Sequence, residues 1–105
     1  MLTQASRIHD RSWVVQCALS RICGGCAMSL GRPVAFLGTA QEVGRNAFHL
    51  PPLHVECAEE LARELAAGPG AGTDWRLVRT AGFEFARPGR DDADQQPRFV
   101  PNSLL

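Results

Sequence analysis

Two close pairs of metal-type donors, Cys23-Gly24-Gly25-Cys26 and His54-Val55-Glu56-Cys57, constrain this chain more than any other feature of it. Two small residues between cysteines let the backbone fold until both thiolates face one ion. Glycine there tolerates unusual dihedrals and leaves amides free to donate to sulfur. The second pair falls at the start of the most regular helical pattern in the chain. Residues three apart in a first turn lie on one side, and a helix N-terminus stabilises thiolates. A Cys-x-x-Cys alone also serves as a dithiol redox pair. With a His-x-x-Cys added, a tetrahedral Cys₃His set around Zn²⁺ is the better account. The expected ligands are Cys23, Cys26, His54 and Cys57, with Zn²⁺ as the expected cofactor. Cys17 could replace one of them if the N-terminal segment folds over the site, and otherwise reads as a buried free thiol. His49 reads as a loop residue or a support behind the ligands, and His9 has no metal-like spacing.

Size makes such a staple useful. At 105 residues the chain is expected to form one domain, 1–105, and seven Pro with ten Gly commit much of it to turns. Hydrophobic residues at 45% disfavour wholesale disorder. Eleven basic and eleven acidic residues cancel, which removes the electrostatic argument for a nucleic-acid coat protein or a polybasic membrane anchor. The balance is local too: residues 1–36 carry a net plus three, 37–72 a net minus three, and the remainder is neutral. Every basic residue is Arg. That favours bidentate pairing, and is equally what a GC-rich genome would write. No run approaches the roughly 18 apolar residues of a membrane span. The opening residues lack a basic region followed by a long apolar one, so the expected compartment is the reducing cytoplasm, where clustered cysteines bind metal rather than pair. Disulfides are the alternative for a mature secreted product.

Periodicity supplies the elements. Residues 5–20 mix polar and apolar positions, and Ile8, Val15, Leu19 and Ile22 can share a helical stripe with Val14 and Ala18 beside it, although Trp13-Val14-Val15 would also suit a strand. Residues 28–30 and Pro33-Val34-Ala35-Phe36-Leu37, joined by Gly31-Arg32, read as a hairpin ended by Gly38. Thr39-Ala40-Gln41-Glu42 has capping-box spacing for one short turn of helix. The segment 47–53 is expected to be extended, since Pro51 and Pro52 oppose a helix. Leu53 to about Ala67 is the clearest helix. Leu61 and Leu65 form its apolar stripe, Glu56, Glu59, Glu60, Arg63 and Glu64 face outward, and Gly68-Pro69-Gly70 stops it. Residues 75–87 suggest two short strands around Ala81-Gly82, a C-terminal hairpin with Trp75, Leu77, Phe83 and Phe85 in the core. Residues 88–98 read as a flexible loop, and 99–105 as a tail that docks on the domain or on a partner.

A cysteine knuckle, a hairpin through 28–37 and a helix opening on His54-x-x-Cys57 together resemble the treble-clef class of zinc fingers over residues 21–67. Arg21-Ile22-Cys23-Gly24-Gly25-Cys26, Gly31-Arg32-Pro33-Val34 and Pro52-Leu53-His54-x-x-Cys57 also resemble small actinobacterial zinc-finger-like proteins. The resemblance implies a small α+β fold with Cys23 and Cys26 on the knuckle and His54 and Cys57 on the helix. An N-terminal helix and a C-terminal hairpin would flank this core. The class includes nucleic-acid binders, ribosomal proteins, interaction modules and nucleases, so it defines a scaffold more than a function. Its nucleases place a histidine on the hairpin, and residues 28–37 contain none. No His-Glu-x-x-His, deaminase or phosphate-loop motif is present. Four protein donors also leave no open metal position, so no enzyme activity is expected. The expected function is a zinc-stabilised protein-interaction or adaptor module, with a protein partner or a second copy bound. A nucleic-acid-binding regulator using Arg7, Arg11, Arg21, Arg32, Arg45, Arg76 and Arg79 is the alternative.

Overall fold

The computed structural model describes residues 8–68, 71–91 and 96–103. The sequence-based expectations for Arg7 and the other residues of 1–7, for Pro69 and Gly70, for 92–95 and for Leu104 and Leu105 lie outside the described residues. In chain order the elements are α1 (Arg11–Ser20), β1 (Val34–Gly38), α2 (Ala40–Arg45), α3 (Val55–Ala67), β2 (Arg76–Thr80), β3 (Phe83–Ala86) and β4 (Arg98–Pro101). The result is a small α+β fold with two antiparallel two-stranded sheets.

Strand β1 organises the core. All five of its residues are buried. On one edge it pairs antiparallel with β2, from Val34↔Thr80 to Gly38↔Arg76. On the other, Ala35 and Leu53 exchange backbone hydrogen bonds of 2.7 and 2.9 Å. A strand covered on both faces reads as a continuous apolar run, as this one does. Its alternation divides two packed clusters. Ala35 and Leu37 join Ile8, Leu50, Leu53 and the α3 residues Ala58, Leu61 and Leu65. Val34 and Phe36 join Val14, Ala18, Phe48, Phe83 and Phe99. In this second cluster Phe36 lies 5.5–5.6 Å, centroid to centroid, from Phe48, Phe83 and Phe99. Gly38 ends β1 where a Cβ would stand 2.5 Å from the Phe48 ring, so the strand closes on this cluster only without a side chain there.

The helices form for local reasons. Asp10 caps α1, accepting from the Ser12 and Trp13 amides at 3.0 and 3.4 Å. Its buried face is Val14, Cys17 and Ala18 rather than the expected stripe, since Val15 is half-buried and Leu19 is 66% exposed. Helix α2 carries the expected capping box: Glu42 N donates to Thr39 Oγ1 and Thr39 N to Glu42 Oε1. Helix α3 buries Ala58, Leu61 and Leu65 at helical spacing.

Strand pairing departs from both expected hairpins. Residues 28–30 do not pair with β1, because the knuckle uses them: Cys23 N donates to Met28 O, Leu30 N donates to Arg21 O, and Ile22 bridges Ser29. Strands β2 and β3 exist but do not pair with each other. Each takes a partner distant in sequence, β2 with β1 and β3 with β4. Between them, Thr80 Oγ1 donates to Gly82 O at 2.6 Å and accepts from the Gly82 and Ser103 amides at 3.3 Å. This fully buried hydroxyl holds the kink that sends the two strands into different sheets. Residue 98, expected in a loop, and residues 99–101, expected in a tail docking on the domain or on a partner, form β4 and dock on the domain, with Phe99 fully buried. The core expectation for residues 75–87 holds: Phe83 is buried, and Trp75, Leu77 and Phe85 are half-buried against the two clusters. No helix among the described residues is long and apolar enough to cross a membrane.

Candidate metal centre

Helix α1 ends on Arg21 in the left-handed region (φ 52°), and the chain turns directly into the knuckle. Gly24 is the fixed point of that turn. Its amide donates to Pro52 O at 2.8 Å, and its carbonyl accepts from Trp13 Nε1 at 3.0 Å. Any Cβ on Gly24 would collide with the Pro51 ring, so the close approach of knuckle to the 51–52 segment requires glycine. Pro51 and Pro52 hold that segment extended into the N-terminus of α3. The cysteines at 23 and 26 are thereby set against His54 and Cys57.

The four predicted side chains meet: the donor atoms of Cys23, Cys26, His54 and Cys57 all lie within 4.8 Å of one another. His54 Nδ1 is 3.3 Å from Cys26 Sγ and 4.0 Å from Cys57 Sγ. Its other nitrogen, Nε2, lies 2.9 Å from Ser29 O. A carbonyl can only accept, so Nε2 carries the hydrogen and Nδ1 turns its lone pair to the sulfurs. As N-cap residue of α3, His54 makes no side-chain cap, because its ring is committed to this cluster. Cys23 is buried, His54 and Cys57 half-buried, and Cys26 exposed.

The thiols differ in acidity for physical reasons. Burial opposes ionisation of Cys23. Amides of Cys26, His54 and Gly25, with the Cys57 thiol, outweigh it and hold Cys23 below the usual thiol range. The Gly25 and His54 amides reach its sulfur at 3.3 and 3.4 Å. Cys57 is pushed up to about 12, by burial first and then by charge and hydrogen bonding from Cys23 and Cys26. A cation taken up on Cys57 would therefore displace its proton at any pH near neutrality. Zinc affinity, measured by competition with a chromophoric chelator, is expected to weaken at least about tenfold per unit as pH falls from about 8 to 6. Affinity constant across that range would mean that binding releases no thiol proton and would overturn the thiolate set.

The remaining candidates lie elsewhere. Cys17 is buried on α1 and His9 is exposed, and neither belongs to the donor group. Among the described residues no two cysteines form a disulfide. His49 is engaged with the buried Glu42, whose Oε2 accepts from His49 N at 3.0 Å and lies 2.9 Å from His49 Nδ1. It supports α2, not the cysteine cluster. Glu56 sits in the first turn of α3 outside the donor group, as the spacing predicts. Sequence reasoning missed the Ser29 carbonyl and the Trp13 indole. Backbone carbonyls leave no mark on residue identity, and the Trp13 contact exists only after α1 packs on the knuckle. The double proline before His54 was the available signal for a rigid approach. No family model matches the chain, and no curated protein or solved structure matches it either.

Proposed function

We propose that this protein is a protein-interaction or adaptor module whose fold is held by a structural zinc ion on Cys23, Cys26, His54 and Cys57, with a treble-clef-like arrangement of knuckle and helix. The observation that carries it is the clustering of four donor atoms of the zinc-preferred types within 4.8 Å. Zinc with sulfur at about 2.3 Å and nitrogen at about 2.0 Å asks for S···N separations of about 3.5 Å in a tetrahedron. The two observed values, 3.3 and 4.0 Å, straddle that figure. The carbonyl behind His54 is the customary orienting partner of a metal-bound imidazole. Four protein donors fill a tetrahedral set, so the ion is structural and the module is not an enzyme. Thiolate ligands need a reducing compartment, which favours the cytoplasm.

Support for an interaction role comes from two exposed apolar side chains, Leu19 on α1 and Met28 in the knuckle segment, each 66% exposed. The C-terminal strand contributes to the core instead, which removes residues 98–101 as a free docking element. Native and elemental mass spectrometry of the purified chain tests the zinc reading. One zinc per chain is expected, with loss of that ion in Cys23→Ser, Cys26→Ser, His54→Ala and Cys57→Ser examined singly. Stoichiometric zinc and native folding in all four variants would refute it.

A further inference from the structure

The fold gathers two arginines of the basic N-terminal third at one place. Arg21 and Arg32 line an open recess of about 570 Å³ with Gly82, Phe83, Asn102 and Ser103 along its far side, and no acidic residue lines it. Both arginines are exposed, and among the described residues neither forms an ion pair. Arg21 is placed by its backbone. It occupies the left-handed cap of α1 at φ 52°, where glycine would be unstrained, and its guanidinium lies 4.7 Å above the centre of the Phe83 ring.

Both walls are held before any ligand arrives. On the knuckle side Leu30 N donates to Arg21 O at 3.0 Å, and Ile22 bridges Ser29. Opposite, Asn102 N donates to Gly82 O at 3.1 Å, Ala81 N to Ser103 O at 2.9 Å, and Ser103 N to the buried Thr80 hydroxyl. Two guanidinium forks on a fixed frame, with an Asn amide beside them, are the donors that recognise oxyanions bidentately.

We propose that this recess binds carboxylate side chains of an acidic peptide segment on a partner protein. The kind of partner rests on the interaction-module reading, while the site itself does not depend on which metal is bound. A nucleic acid fits less well. The aromatic ring at the recess, Phe83, is 7% exposed and lies under Arg21, so it offers no face for a base to stack on. The chain is neutral overall, and two arginines are too few to make a basic track along an extended phosphate backbone.

The test is an amide NMR titration of the full chain, as purified, with N-acetylated and C-amidated tetraglutamate and, separately, with a ten-nucleotide oligothymidylate. Tetraglutamate is expected to shift the amides of Arg21, Arg32, Gly82 and Ser103. Arg21→Gly, which relieves the left-handed backbone, and Arg32→Gln are each expected to weaken binding about tenfold. Arg79→Gln, exposed on β2 and not among the residues lining the recess, is expected to leave it within about twofold. Equal losses in all three variants, or shifts elsewhere, would overturn the site. Tighter binding of oligothymidylate at the same amides would overturn the peptide assignment. Metal content is read on the same samples. Tetraglutamate binding by chains holding no zinc would uphold the recess and remove the metal reading instead.

Discussion

If the proposed zinc holds the fold, stripping it with a strong chelator is expected to unfold this protein, with loss of amide dispersion and near-ultraviolet circular dichroism, both restored by stoichiometric zinc. Structural zinc on such ligands supplies about 10–16 kcal/mol at neutral pH, whereas small domains are stable by only about 5–15 kcal/mol. The segment from Arg21 to Pro33 contains no helix or named strand. It is held by a bridge, a few backbone hydrogen bonds and the contacts of Cys23 and Gly24. Cys23 also belongs to the cluster that includes Leu53, Leu61 and Leu65, so release of the knuckle opens the packing of α3. Cys23→Ser should reproduce the effect. Cys17→Ala, outside the donor group, should keep the zinc and the spectrum. A chelated protein with the native spectrum would show that the hydrophobic clusters suffice without the ion.

The second large effect is expected at Phe99. It is fully buried, with Phe36 and Phe83 at 5.6 Å and Phe85 at 5.1 Å between ring centroids. Its backbone also exchanges hydrogen bonds of 2.9 and 2.7 Å with Phe48. Removing the ring leaves a cavity between β1 and the second sheet, so Phe99→Ala is expected to cost about 3–5 kcal/mol in denaturant unfolding of the zinc-loaded chain. That approaches the whole stability of a chain this size. Val100 alternates to the other side of β4 and is half-buried, so Val100→Ala should cost about 1–2 kcal/mol or less. A loss at Phe99 no larger than that at Val100 would mean that β4 is not part of the cooperative core.

Elements whose cause lies within a few residues were legible in the sequence. The capping box at Thr39 and Glu42, the helix over 55–67, and the two donor pairs all follow from neighbours along the chain. Where the expectation slipped by one face, as in α1, the pattern was weak: Val14 and Val15 are identical, and the buried Cys17 and Ala18 are smaller than the exposed Leu19. There tertiary packing, not the largest side chains, chose the buried side. Glu42 shows the same division. Its cap to Thr39 is local, and its grip on His49 depends on the return of the 47–53 segment.

The sequence by itself determined the four clustered donors, the helices and the extended runs that became β1, β2 and β3, but not β4. Each of these is decided by spacing, side-chain chemistry or a cap within one turn. Only the tertiary structure decided which strands pair, so that β1 takes β2 and β3 takes β4 in place of the two nearby hairpins. Backbone hydrogen bonds are the same for any strand partner, and lengthening a closed loop costs only about 0.6 kcal/mol per doubling. The choice passes to packing. Only this pairing places Phe36, Phe48, Phe83 and Phe99 together on one side of β1, and Leu37, Leu53 and Leu61 on the other beside the cysteines.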